Sequence, residues 1–304
     1  MATAVWPAVS PADLQLEQDR ALANELEWLL DALQESLAAL KAGFEECASL
    51  LAPVEPGSTL PLSSHRSESL KGVVTRAGAR IVKGDIKVRL ATLPPPKGLP
   101  AYPLVISSAA HAPTLVLAQL TDARSRINAC LDVVDAAVWA GDAKDPHFIA
   151  GQLRLLDVNL QEAKAALKGP SSKPWFADPV DPAVFDPPLP PSLSFHMSVV
   201  DAALTVELRT LEPAAASGGP AADLHASFFR GRLAQALGAA RPHTHDEIDE
   251  VFVYRGEQVK VREKVRVESS DPNLMAAAAK LTALERSVAH ARKALDVVMG
   301  KDDS

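Results

Sequence analysis

The sequence predicts an α+β fold: an elongated antiparallel bundle of four long helices, with a composite antiparallel β domain formed by two inserts at one end. Three observations predict this fold. Four segments repeat apolar residues at steps of three and four, the spacing of a helix with one buried face. Two segments between them alternate apolar and polar residues, which is the period of a half-buried strand. Prolines and glycines separate these segments.

The four helices are predicted from their apolar stripes and their end signals. The first begins near Ser10 and ends before Pro53, and its stripe is Leu22, Leu26, Leu29, Leu33, Ser36, Leu40, Phe44, Cys47 and Leu51. The second and third cover residues 113–140 and 145–169, and their connection is so short that we expect an antiparallel pair. The fourth opens with Asp271 as N-cap and Pro272 in the first turn, and it ends at Gly300.

Strands are predicted on both sides of the middle helices. In "LKGVVTRAGARIVKGDIKVRL", residues 70–90, apolar and basic residues alternate from Ile86 onward. In "EQVKVREKVRVES" we expect one apolar face, interrupted by Glu263 at a strand end: Val259, Val261, Val265 and Val267. Because isolated hairpins are marginal in water, we expect residues 70–90 to pair with strands around 193–211 and 251–268 in one shared sheet.

These elements predict two domains. The helical bundle domain comprises residues 10–53, 112–169 and 271–300, and the β domain comprises residues 54–111 and 185–270. The proline-rich residues 170–184 are predicted to be a semi-rigid linker between them.

Composition excludes several classes of protein. The net charge of −7 over 304 residues disfavours binding to nucleic acid, which requires a basic face. Cys47 and Cys130 both lie in helical patterns, so we expect neither a disulfide framework nor a cysteine zinc site. Residues 98–121 lack charged residues, but their prolines argue against an integral membrane span, and the N-terminal residues lack the pattern of a secretory signal.

The best candidate for chemistry is the stretch "RPHTHDEIDE", which carries His243, His245, Asp246, Glu247 and Glu250. Two histidines and a carboxylate can bind a metal ion. The alternative is a polar loop with solvated charges, which we favour because a loop lacks the supporting groups that orient metal ligands. There is no phosphate-binding loop, no HExxH and no nucleophile elbow. We therefore predict no catalytic, cofactor-binding or metal-binding residues, no cofactor and no enzymatic activity.

Five stretches carry a resemblance to a known family. They are "ELEWLL" at 25–30, "LKGVVTRAG" at 70–78, "ARSRINACLDVV" at 123–134, "FDPPLPPSLSFHMSVVDAALTVELRTL" at 185–211 and "VFVYRGEQVKVREKVRVES" at 251–269. In this order they resemble the Rogdi family, which includes the second subunit of the fungal RAVE complex. Relative to the family pattern, residues 214–248 are predicted to be a variable insertion.

The resemblance implies a non-enzymatic function. A RAVE-like complex promotes reassembly of the vacuolar proton-translocating ATPase, joining its peripheral sector to its membrane sector. The implied partners are a large β-propeller-containing subunit, a Skp-type adaptor and the peripheral sector of the ATPase. The implied location is the cytoplasm, with indirect recruitment to endosomal or vacuolar membranes. Two alternatives stay open: a metal-dependent hydrolase using His243, His245 and Glu247, and a coiled-coil vesicle tether.

Overall fold

The computed structural model describes residues 10–64, 68–140, 144–169, 174–214, 245–248 and 250–300. The chain divides into two compact units. The first, here called the helical unit, comprises Met1–Leu50, Ala123–Lys164 and Ala277–Ser304. The second, here called the sheet unit, comprises Leu51–Asp122 and Ala165–Ala276.

Four α-helices lie in the described residues. They are α1 (Pro11–Leu50), α2 (Ala118–Asp135), α3 (Pro146–Lys168) and α4 (Pro272–Val298). A π-helical turn, Ala136–Ala140, follows α2, and a short 3₁₀ helix covers Pro182–Val184. Asp271 caps α4 as predicted, since its Oδ1 accepts hydrogen bonds from the backbone nitrogens of Asn273 at 3.0 Å and Leu274 at 3.4 Å.

The helical unit buries one apolar stripe from α1. The buried residues follow a strict three-four alternation: Leu30, Leu33, Leu37, Leu40, Phe44 and Cys47. The predicted stripe is wrong at its start, because Leu22 is 49% exposed and Ser36 is exposed. The rest of the predicted stripe is right, since Leu33, Leu40, Phe44, Cys47 and Leu51 are buried. Leu22 precedes Leu40 by 18 residues, which is five full turns, so it lies on the same face of the helix but in turns that are exposed. Residues 11–25 of α1 are exposed throughout.

The first sheet is antiparallel and is built from one continuous stretch of chain. Its strands are β1 (Ser58–Ser63), β2 (Leu70–Ala77), β3 (Arg80–Val88), β4 (Tyr102–Val105) and β5 (Leu115–Val116). They are ordered β1-β2-β3-β4, and β5 also pairs with β3. Gly72 on β2 permits close strand approach, since a Cβ there would lie 2.2 Å from the Asp85 carbonyl oxygen.

The second sheet is also antiparallel. Its strands are β6 (Leu193–Val200), β7 (Ala203–Pro213), β8 (Val251–Tyr254) and β9 (Glu257–Ser270), in the order β6-β7-β9-β8. β6 and β7 are joined by a tight turn in which Asp201 and Ala202 both have positive φ. A bulge between β7 and β9 shifts the register at Thr210 and Leu211.

The predicted architecture is wrong, although four helices and two antiparallel sheets do make the class α+β. Among the described residues, the strands of residues 70–90 pair with each other and with β1, β4 and β5, and not with residues 193–211 or 251–268. Each stretch supplies at least four strands, enough to bury a sheet face, and pairing neighbours in sequence closes shorter loops at lower entropic cost. The helices do not form an elongated bundle of four long helices either. Only α1 has 40 residues, against 18, 23 and 27 for the others, and its first turns are exposed.

The bulge also corrects the prediction for β9. Glu263 does not end the strand, which continues to Ser270. Because Leu211 pairs with Val261 and Thr210 pairs with Glu263, the register skips Arg262, and the alternation reverses there. Val259 and Val261 therefore lie on the opposite face from Val265 and Val267, whereas the period of two had placed all four on one face. Glu263 is buried and accepts hydrogen bonds from the Thr92 backbone nitrogen and hydroxyl.

Candidate functional site

The carboxylates of Asp246 and Glu247, considered above as possible metal ligands, form ion pairs in the structure. Glu247 accepts two hydrogen bonds from Arg209: one from Nε at 2.6 Å and one from Nη2 at 2.9 Å. Lys264 Nζ donates to Glu247 Oε1 at 2.8 Å and to Asp246 Oδ1 at 2.9 Å. Both carboxylates thus face cations of β7 and β9.

These contacts set the ionisation of the cluster. Burial tends to raise the pKa of Glu247, but the hydrogen bonds from Arg209 and Lys264 outweigh it and lower the pKa below its usual value. The hydrogen bond from Lys264 likewise lowers the pKa of Asp246. Burial tends to lower the pKa of Lys264, and its two carboxylate partners raise it on balance. All three groups are therefore charged near neutral pH.

The histidines do not complete a metal site in the described part of the chain. His243 lies outside the described residues, and His245 Nδ1 accepts a hydrogen bond from the Glu247 backbone nitrogen at 3.2 Å. Glu250 follows in a separate described segment next to β8. No group of three or more His, Cys, Asp or Glu residues among the described positions is arranged to hold a metal ion.

Arg209 joins this ionic cluster to an aromatic cluster that sequence reasoning missed. Its guanidinium lies 4.8 Å from the centre of the Trp175 ring, and Nη2 donates to Glu207 at 2.7 Å. Trp175 packs on Phe252 and Tyr254 with ring centres 5.1 and 5.5 Å apart. Trp175 lies in the segment predicted to be a linker, and its only sequence signal was a large aromatic residue among prolines.

A second buried ion pair lies where β2 meets the start of α4. Arg76 Nε donates to Asp271 Oδ2 at 2.6 Å, and the two side chains are 2% and 0% exposed. Arg76 Nη1 also donates to the Gly78 carbonyl oxygen at 2.6 Å. The two carboxylate oxygens of Asp271 therefore make different contacts. Oδ1 caps α4, and Oδ2 pairs with the buried guanidinium of Arg76.

The helical unit has an open groove between α1 and α4, with a volume of about 570 Å³. Small side chains line much of it. They include Ala32, Ser36 and Ala39 from α1 and Ser287, Ala291 and Ala294 from α4. Arg286 and His290 of α4 also line the groove.

Exposed apolar side chains also occur N-terminal to the groove on α1. Leu14, Leu22 and Trp28 are 51%, 49% and 70% exposed. Among the residues that the structure describes, no helix combines the length and the apolar composition needed to cross a bilayer.

Comparison with known proteins identifies the family. The model of the family described as Rogdi leucine zipper containing protein matches residues 25–296, which is nearly the whole chain. No curated protein matches the sequence. The match confirms the resemblance predicted from the five stretches between residues 25 and 269. The chain belongs to the Rogdi leucine zipper family.

Proposed function

We propose that this protein is a non-enzymatic subunit of a RAVE-like complex and promotes assembly of the vacuolar proton-translocating ATPase. In this function it binds a large β-propeller-containing subunit, and a Skp-type adaptor joins the same complex. The complex returns the peripheral sector of the ATPase to the membrane sector. The protein acts in the cytoplasm and reaches endosomal or vacuolar membranes through its partners.

Family membership over residues 25–296 is the observation that carries this proposal. The geometry is compatible with a binding protein. Glu247, the carboxylate of the alternative hydrolase, forms ion pairs with Arg209 and Lys264. The helical unit has an open groove and exposed apolar side chains on α1, and exposed apolar surface is a common feature of binding sites.

The proposal is tested by deleting the gene in its native cells and measuring vacuolar pH and the fraction of peripheral sector bound to membranes. We expect reduced acidification and slow sector reassembly after glucose is restored to starved cells. Expression of the intact chain should restore both. Normal acidification and normal reassembly in the deletion strain would refute the proposed function.

A further inference from the structure

The first sheet has one buried face and one exposed face, here called the outer face. Residues that lie directly opposite each other on neighbouring strands share one face of a sheet. One row across the outer face is Ser63, Lys71, Lys87 and Pro103, and the next row is Pro61, Val73, Asp85 and Val105. Every residue of these two rows except Pro103 is exposed. The residues that alternate with them, such as Leu62, Ile86 and Leu104, are buried.

The exposed charges of this sheet are mostly positive. Within strands β1 to β5 the exposed charged residues are Lys71, Arg80, Lys83, Lys87 and Asp85. Arg76, the other charged residue of these strands, is buried and pairs with Asp271. Arg89, which follows β3, pairs with Glu68. The strands therefore present four exposed cations and one carboxylate, although the whole chain has a net charge of −7.

Two of these cations lie side by side. Lys71 of β2 is directly opposite Lys87 of β3. Like charges at such positions destabilise a sheet. Within the part of the chain that the structure describes, neither these lysines nor Arg80 and Lys83 form an ion pair. A carboxylate supplied by another molecule would relieve the repulsion between Lys71 and Lys87.

The basic residues of the second sheet differ in this respect. On β9 three of them have carboxylate partners, in the pairs Arg262–Glu212, Lys264–Glu247 and Arg266–Glu268. These partners neutralise the basic side chains of β9 within the protein. The positive charge of the outer face is not neutralised in this way, so it is available to a binding partner.

Three kinds of occupant are disfavoured on the outer face. A second copy would place one basic face against another, and like charges across an interface are unfavourable. Membrane-binding surfaces insert large apolar or aromatic side chains, and single-stranded nucleic acid stacks on aromatic rings. The one aromatic residue of these five strands, Tyr102, lies opposite the buried Val88 and therefore on the other face. Asp85, near the centre of the outer face, would also repel an anionic bilayer.

The spacing of the exposed groups fits an amphipathic helix. Lys83 and Lys87 are four residues apart on β3, or about 13 Å at about 3.3 Å per residue. Helix residues seven or eight positions apart are separated by about 11 to 12 Å. Carboxylates two turns apart can therefore reach Lys83 and Lys87. The turn between them meets Val73 and Val105, which are 46% and 37% exposed, and Asp85, which disfavours a third carboxylate there.

A helix also satisfies its own backbone hydrogen bonds. An extended segment would instead need a free strand edge, because its backbone groups find no partners on the face of a sheet. The outer face therefore favours a helical segment whose acidic residues recur every two turns and flank apolar residues.

We propose that the outer face of the first sheet binds an acidic amphipathic helix of a partner protein. Carboxylates of that helix pair with Lys71, Lys83 and Lys87, and its apolar side chains contact Val73 and Val105. This inference rests on the proposed function in that it names the chemistry of one partner of a binding protein.

The test uses the purified full chain and a fluorescent synthetic peptide of about three heptads, with Leu at the a and d positions and Glu at the e and g positions. A matched peptide carries Lys in place of each Glu. Binding is measured by fluorescence anisotropy at low and high salt. We expect the glutamate peptide to bind, although the whole chain is acidic, and to bind less tightly as salt screens the charges.

A double variant locates the binding site. Lys71→Gln with Lys87→Gln should weaken binding of the glutamate peptide about 10-fold or more and should not weaken binding of the lysine peptide. The matched control is Arg154→Gln with Lys293→Gln, which removes two exposed cations of the helical unit that form no ion pair in the described part of the chain. We expect the control to bind the glutamate peptide as the wild type does.

The melting temperature separates binding from folding. Lys71→Gln removes a like-charge contact with Lys87, so it should leave the melting temperature unchanged or raise it while it weakens binding of the glutamate peptide. A lysine with a purely structural role would lower the melting temperature when it is replaced, and that result would count against the inference.

Several results would overturn the inference. They are absence of glutamate-peptide binding, unchanged binding in the double variant, equal weakening in the control variant, and binding to vesicles of phosphatidylserine and phosphatidylcholine that the double variant abolishes. The peptide assay uses purified protein and is separate from the acidification assay. Absence of peptide binding would therefore leave the proposed function standing, and normal acidification in the deletion strain would leave the peptide result standing.

Discussion

Replacing Asp271 with Asn should destabilise the sheet unit far more than the loss of a surface charge does. Asn can still cap α4 through its side-chain oxygen, so the substitution removes mainly the negative charge. Arg76 is 2% exposed, and its guanidinium would then be buried without a countercharge. Breaking a buried ion pair in this way typically costs about 3 to 5 kcal/mol. Asp271→Ala should cost about 1 kcal/mol more, because the cap is lost as well.

Urea unfolding followed by Trp fluorescence measures this effect in the sheet unit. Replacing Trp6, Trp28 and Trp139 with Phe leaves Trp175 as the only tryptophan, and Trp175 lies in the sheet unit. The control is Arg89→Ala, which breaks an ion pair whose side chains are 54% and 72% exposed and should cost less than about 1 kcal/mol.

A double variant separates charge burial from packing. Arg76→Met combined with Asp271→Asn removes both charges, so it should be more stable than Asp271→Asn alone. The reasoning is refuted if Asp271→Asn costs no more than Arg89→Ala, or if removing Arg76 gives no recovery.

Three further predictions concern other sites. The pKa of Glu247 is lowered in the folded state, so its contribution to stability is present above its unfolded pKa of 4.5 and is lost as pH falls. In Glu247→Gln the free energy of unfolding should therefore decline less between about pH 5 and 3 than in the wild type. An unchanged decline, measured by urea unfolding at each pH, would contradict this. Gly72→Ala should lower the melting temperature, because the new Cβ would lie too close to the Asp85 carbonyl oxygen. The control Gly151→Ala in α3 places its Cβ within 4 Å of no other atom, and it should raise the free energy of unfolding by about 0.5 to 1 kcal/mol. A change of the same sign in both variants would contradict this reasoning. Burial raises the pKa of Cys47 to about 11 and of Cys130 to about 12. Neither thiol should therefore react with a thiol reagent at pH 8 until urea unfolds the chain. Rapid labelling of the native protein would contradict this prediction.

Helix ends were predicted well where the sequence carries a specific capping signal. Asp271 and Pro272 marked the start of α4, because a short acidic side chain before a proline is a strong N-cap signal. The stripe of α1 was less well determined. Its leucines from Leu22 to Leu40 lie on one face, and spacing alone does not show how far along α1 that face is covered by the other helices.

The pairing of strands could not be predicted from alternation alone. The sequence of residues 70–90 shows two strands, but the choice between near and distant partners depends on how many strands each stretch supplies. The bulge at Arg262 has no glycine or proline to mark it. It nevertheless reverses the faces of β9, and it brings Lys264 to the side of Arg209 and Glu247.

The ionic clusters were missed for a related reason. Arg76 and Arg209 sit in strands whose other residues are mostly apolar, and a charged residue at a buried strand position is the one available sign of a hidden partner. Those partners, Asp271 and Glu247, are 195 and 38 residues away in sequence. The stretch around His245 was considered as a possible metal site, but its carboxylates form ion pairs with Arg209 of β7 and Lys264 of β9.

Affinity capture of the tagged full chain from the cytosol of its native cells, followed by mass spectrometry, tests the central claim most directly. A large β-propeller-containing protein and subunits of the peripheral ATPase sector should be enriched over an untagged control. Reproducible capture of neither the propeller protein nor any peripheral-sector subunit would contradict the proposal that this Rogdi-family protein serves assembly of the proton-translocating ATPase.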